Sequence, residues 1–137
     1  MNYQEKVEFL RGYHKAKMQI KTYLRQMDDL RDTMMPGGIR YSDMPKHPNY
    51  DDKMADYAAK HMDIQYRIDK AQERQLRVIA VINQIAERDP LGHRILTEMY
   101  INNKNTPYIC RKLCIGRTTE WQHRKRAIER LDIQKPL

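Results

Sequence analysis

The chain has 137 residues, enough for one domain or for a small domain carrying an extended helical appendage. Charged residues make up 32 % and aromatics 8 %, with a single Phe, so a core must be built from Leu, Ile, Met, Tyr and Ala, which favours helices over sheets. No run of about 18 apolar residues is present and MNYQEKVEFLRGY lacks the apolar stretch of a secretory signal, so a membrane span is excluded and a cytosolic protein is expected. The net charge is +8, of which +5 falls in residues 110–137, where eight Lys and Arg stand against three Asp and Glu. A basic stripe on one element is the footprint expected for a polyphosphate backbone.

In chain order, Val7, Leu10, Tyr13, Ile20, Leu24, Met27, Leu30 and Met34 recur at spacings of three, four and one gap of seven, which predicts a helix from residue 2 to about 33. The gap spans His14, Lys17 and Met18, and His14 is expected in the seam as a partly buried residue. Residues 34–48, MMPGGIRYSDMPKHP, carry three of the six prolines and read as a loop. Asn49 or Asp51 then caps a second helix to about Arg88, with Met54, Tyr57, Ala58, Ile64, Ile68, Ala71, Val78, Ile82 and Ile85 as its seam. Asp51, Asp52 and Asp56 near its start suit the helix dipole rather than catalysis. The two helices are expected to form an antiparallel hairpin over residues 1–88, an arm for dimerisation or a partner, and Val78, Ile79 and Val81 are positions that a second chain or the C-terminal helices would cover.

Asp89 and Pro90 give a cap-plus-proline start for a third helix to about 102, apolar through Leu91, Ile95, Leu96, Met99, Tyr100 and Ile101. Thr106 and Pro107 repeat the signal for a short helix over 107–113, with Thr106 expected as its N-cap. Gly116 is expected to supply the φ > 0 of the turn that follows. From Arg117 to about 132 a basic helix has Ala127, Ile128 and Leu131 on one side and Arg117, Thr118, Gln122, Lys125 and Arg126 mostly on the other. The expected fold is all-α: a long antiparallel helical hairpin followed by a C-terminal trihelical helix-turn-helix domain at 89–137.

In such a motif residues near the start of the second helix reach base edges. Arg117, Thr118, Thr119 and Gln122 are the base-readout candidates, because Arg and Gln pair bidentately with guanine and adenine and a Thr hydroxyl can serve base or phosphate. Arg111, Lys112, Arg124, Lys125 and Arg126 are the phosphate candidates. Trp121 is expected to cover the core or an interface, or to lie against a DNA backbone. Cys110, Cys114 and His123 or His93 offer a zinc alternative, although structural sites use shorter CxxC spacings, so no metal and no cofactor are expected. A disulfide between the two cysteines is not expected either.

The stretch LTEMYINNKNTPYICRKLCIGRTTEWQHRKRAIERL resembles the C-terminal unit of phage-encoded ArpU/RinA-type late transcription regulators, itself similar to region four of bacterial sigma factors. The matching positions are Tyr100, Thr106, Ile109, Leu113, Ile115, Ala127, Ile128 and Leu131, and YSDMPKHPNYDDKMADYAAK resembles the Met-Pro loop and acidic helix start of related phage proteins. Gly116 stands where those families often carry a Ser cap, and Glu120 and His123 occupy positions usually apolar and inward. The resemblance implies a non-enzymatic transcription regulator of phage or prophage origin, acting in the cytoplasm of a bacterial host cell, that binds double-stranded promoter DNA, with a homodimer expected and host RNA polymerase a candidate further partner. It assigns Arg117, Thr118, Trp121 and Gln122 to exposed positions facing DNA. A helical adaptor binding RNA polymerase or another protein, and a small terminase-like packaging subunit, are the competing readings.

Overall fold

The computed structural model describes residues 1–34 and 50–134. Its elements are α1 (Tyr3–Met34), α2 (Tyr50–Asn83), α3 (Pro90–Leu96), a π-helical turn (Thr97–Ile101), α4 (Thr106–Leu113) and α5 (Arg117–Arg130). The fold is all-helical, with α1 and α2 packed as an antiparallel pair and the short helices following. Of the loop expected at 34–48, Met34 is instead the last residue of α1, and 35–48 with the Asn49 cap lie outside the described residues.

Two compact units divide the chain across the long helices: Met1–Lys17 with Glu73–Leu137, and Met18–Gln72. In the first, Val7 and Leu10 of α1, Val78, Val81 and Ile82 of α2, Leu96 of α3, and Ala127 and Ile128 of α5 share one hydrophobic core, with Ile85, Leu131 and Ile133. Val78 and Val81 are therefore covered within the chain by the C-terminal helices. Polar contacts hold the same elements together: Lys6 Nζ donates to the Glu129 carbonyl at 2.8 Å, and Gln84 exchanges two hydrogen bonds with the Asp132 backbone at 3.0 and 3.1 Å.

In the second unit Ile68 and Ala71 are buried on α2, and the pairs Asp56–Lys60 and Asp63–Arg67 line its exposed side at 3.0 and 3.3 Å. Along α1 the gap in the apolar stripe is filled by Ala16, which is wholly buried; Tyr23 is half-buried while Leu24 is exposed. A small side chain lets two helices approach closely, so a seam can pass through alanine without a large apolar residue. His14, expected in the seam, is exposed instead.

The short helices follow their end signals. Asp89 caps α3, its Oδ1 accepting from the Gly92 N–H at 2.9 Å, with Pro90 first in the helix. After Leu96 the backbone widens into the π turn, closed by the Asn102 N–H on the Thr97 carbonyl at 3.0 Å, and Asn103 leaves it at φ 55°. The N-cap of α4 is Asn105, not Thr106: its Oδ1 accepts from the Tyr108 N–H at 3.0 Å, which puts Thr106 and Pro107 inside the first turn. The left-handed residue after α4 is Cys114, at φ 56° and ψ 44°, rather than Gly116. Ile115 N–H reaches back to the Cys110 carbonyl at 3.0 Å and Cys114 N–H to that of Arg111 at 3.4 Å, the two bonds of a Schellman cap. Gly116, at φ −79° and ψ 164°, is extended and serves as the N-cap of α5.

Candidate functional site

The α4-turn-α5 segment is seated by its apolar residues. Ile109 of α4 and Ala127 and Ile128 of α5 are wholly buried, and α5 packs on both α3 and α4. With that side of α5 turned inward, a rotation of about 100° per residue carries the intervening side chains outward. Trp121, Lys125, Thr118 and Gln122 fall within an arc of about 100°, with Arg126 and Thr119 beyond Gln122 and Arg117 beyond Trp121. All seven are exposed. Gly116 contributes no side-chain cap, so the first-turn N–H groups of α5 lack an acceptor from the N-cap side chain.

Trp121 is half-exposed and lies outside the core; Lys125 Nζ sits 5.2 Å from its ring centroid, one turn along the same face. The pair is a flat apolar surface beside a cation, with Trp121 at one edge of the exposed arc.

Arg124 behaves differently from its neighbours. Its side chain retains 22 % exposure, its Nε lies 3.3 Å from Glu120 Oε1, and its Nη1 donates to the Met99 sulfur at 3.3 Å. Among the phosphate candidates it is the one drawn inward. Glu120 is wholly buried, and neither of its oxygens nor Arg124 Nε has a hydrogen-bond partner among the described residues. Burial pushes the Glu120 carboxyl above the usual glutamate range, against the opposing pull of Arg124. The carboxylate that the sequence places at an inward position is thus inward, and His123 beside it is half-buried.

Lys112 and Arg111 are exposed on α4. Lys112 is already engaged: Nζ donates to Glu98 Oε1 at 2.8 Å, tying α4 to the π turn, and Asn102 donates to the same oxygen at 3.3 Å. The Lys112 hydrogen bond holds the Glu98 carboxyl below the ordinary glutamate range, and Glu98 in turn raises Lys112.

The residues of the zinc alternative are not gathered. Cys110 and Cys114 are free thiols, His93 bonds Asn83 through Nε2 at 2.9 Å, and no group of three His, Cys, Asp or Glu is placed to hold a metal among the described residues. No helix among them is long and apolar enough to cross a membrane. Sequence reasoning missed a cleft lined by Arg11, His14 and Lys15 of α1, by Tyr100 and Lys104, and by Arg124 of α5. The signal was dispersed over three segments about 90 and 20 residues apart, so no local spacing could reveal it.

Neither the curated proteins nor the solved structures contain a match to this chain. A family model, described as a protein of unknown function (DUF1492), matches residues 31–132, from the last turn of α1 through α5. That span is about three quarters of the sequence, and the chain belongs to the DUF1492 family.

Proposed function

We propose that the chain is a sequence-specific DNA-binding regulator of phage or prophage origin, reading duplex DNA with the outer face of α5. The observation that carries this reading is the sorting of side chains around that helix. Thr118, Thr119, Trp121, Gln122, Lys125 and Arg126 are exposed on one side and Arg117 is exposed as the first residue of the helix, while Glu120, Ala127 and Ile128 are buried on the remaining side. A solvated helix needs no such mixture; a groove-reading helix needs bidentate donors near its start and cations along its flanks. Arg117 and Gln122 meet the first requirement, and Lys125, Arg126 and Arg111 the second. The uncapped first turn adds backbone N–H groups of the kind that meet phosphates. Arg124 takes a positioning role, because its guanidinium is directed at Glu120 and Met99. The resemblance to ArpU/RinA-type regulators supports the same face, and homodimerisation and contact with host RNA polymerase belong to this proposal.

The test is selection of bound fragments from phage and host genomic DNA at about 0.15 M salt, an ionic strength at which weak phosphate contacts are screened. Wild type is compared with Arg117→Ala, Gln122→Ala. Enrichment of one site by the wild type, lost in the double variant while salt-sensitive weak binding persists, is the expected result. Absence of enrichment by the wild type sinks the reading and moves the weight to an adaptor.

A further inference from the structure

A second cationic site lies away from the outer face of α5. Arg11, His14 and Lys15 of α1 meet Tyr100 and Lys104 at the exit of the π turn, and Arg124 of α5, around a cleft of about 390 Å³. None of the lining side chains is acidic. Three cations, Arg11, Lys15 and Lys104, converge from two separate segments beside Arg124, whose charge Glu120 faces at 3.3 Å, and mutual repulsion among the three is an arrangement that an anion relieves. The nearest acid on α1, Glu8, bridges Arg11 at 3.1 Å and Lys15 at 3.3 Å, with the cationic side chains 61 % and 66 % exposed. Exposed pairs of this kind are weak, so both cations are free to turn to a better acceptor.

The backbone offers little competition or help. Two N–H groups at the exit of the π turn are used internally, that of Asn102 on the Thr97 carbonyl at 3.0 Å and that of Lys104 on the Glu98 carbonyl at 2.9 Å. Recognition therefore falls to side chains. Arg11 can present a planar fork, Lys15 and Lys104 supply point charges, and the Tyr100 hydroxyl, a phenol protonated at neutral pH, is a further donor. A volume near 390 Å³ lies at the small end of ligand sites, enough for two linked phosphoryl groups and part of what they are attached to.

We infer that this cleft is a phosphate-recognition site for an anion carrying two adjacent phosphoryl groups, held by Arg11, Lys15 and Lys104. Two sources share that chemistry: consecutive phosphates of a nucleic-acid backbone, and a free nucleoside di- or triphosphate. The site stands apart from base reading by α5, and a variant of Arg117 and Gln122 leaves it intact.

The experiment is calorimetric titration of the full chain with pyrophosphate and with ATP at low salt, beside the salt dependence of duplex binding. It is run on wild type, Arg11→Gln with Lys15→Gln, Lys104→Gln, and Lys60→Gln as a control from the other unit. Unfolding midpoints verify that each variant is folded, which the exposure of Arg11 and Lys15 favours. For a free ligand, pyrophosphate and ATP bind wild type and the control alike, affinity falls at least about tenfold in the cleft variants, and the duplex salt slope is unchanged. For a nucleic-acid backbone, the slope falls by about two in the double variant, whether or not pyrophosphate is captured. Failure of wild type to bind pyrophosphate or ATP, with an unchanged slope, overturns the proposal, as does binding that survives in the cleft variants. Arg117→Ala, Gln122→Ala should keep pyrophosphate binding, which separates failure of this site from failure of the α5 reading.

Discussion

Gly92 of α3 lies so close to Ala127 of α5 that a Cβ built on Gly92 would stand 2.8 Å from the Ala127 Cβ. The same atom would collide with Asp89 Oδ2, part of the carboxylate that caps α3. Helix propensity alone favours Gly92→Ala by about 1 kcal/mol. Overpacking works against it by about 1–3 kcal/mol and loss of the cap by about 1 kcal/mol more, so the steric effects win. Gly92→Ala should lower stability by about 2 kcal/mol, read as a fall in the urea midpoint with an unchanged slope.

The turn between α4 and α5 invites the opposite kind of substitution. Cys114 holds φ 56° without being glycine, whereas Gly116 is extended, with open space where a Cβ would stand. Cys114→Gly removes left-handed strain of about 1–2 kcal/mol but gains unfolded-state entropy of somewhat smaller size, for a net gain of roughly 0.5 kcal/mol. Gly116→Ser supplies the missing cap and should raise stability by a few tenths of a kcal/mol. Were Gly116 the φ > 0 residue, Gly116→Ser would destabilise, so two thermal melts decide between the arrangements.

That turn shows how far the sequence could be read. A Gly three residues past the last apolar position of α4 looks like the left-handed residue, yet the hydrogen bonds from Cys114 and Ile115 close the helix two residues earlier. At Asn105-Thr106-Pro107 two adjacent residues could cap, and geometry alone chooses Asn105. Asp89-Pro90 offered one candidate and it caps α3. The α1 stripe was legible at Val7 and Leu10, but not through Ala16, because alanine carries no periodic hydrophobic signal. The exposed arc of α5 follows from helical rotation once Ala127 and Ile128 are assigned inward. The commitment of Arg124 to Glu120 and Met99 does not, since partners 4 and 25 residues away look alike in a list of charges.

Glu120 sets a pH dependence of known sign. Its folded-state pKa is raised by burial, so between the ordinary glutamate value of about 4.5 and the raised value the folded state binds the proton more tightly than the unfolded chain. Stability from this group therefore falls as pH rises through that window. Glu120→Gln removes the titration, and the difference in unfolding midpoint between wild type and variant should grow less favourable to wild type from pH 4.5 upward. A constant difference across the window would assign the carboxylate a hydrogen-bonded, solvated environment instead. Glu120→Met with Arg124→Leu should gain about 1–2 kcal/mol near neutral pH, because an apolar pair replaces charges whose desolvation is incompletely offset.

Glu98 runs the other way. Lys112 lowers its pKa, so the stabilisation is present above the ordinary glutamate value and is lost as pH falls through the lowered one. Lys112→Met removes that contribution and leaves α4 untied from the π turn. Acid unfolding monitored by circular dichroism should then begin at a higher pH in the variant than in the wild type.

The two arginines of α5 closest in sequence should separate folding from binding. Arg126 is exposed beside Gln122, whereas Arg124 is directed at Glu120 and the Met99 sulfur. If duplex DNA lies on the outer face, Arg126→Ala should reduce the slope of log affinity against log salt by about one and leave the unfolding midpoint nearly unchanged. Arg124→Ala should do the reverse, because it leaves the Glu120 carboxylate buried with no cation beside it. Breaking a buried pair is destabilising by about 3–5 kcal/mol, a figure reduced here by the partial exposure of Arg124 and by protonation of Glu120. A slope that drops for Arg124→Ala and not for Arg126→Ala would mean that the guanidinium leaves Glu120 on binding, and that DNA lies on the cleft side of α5 rather than on its outer face.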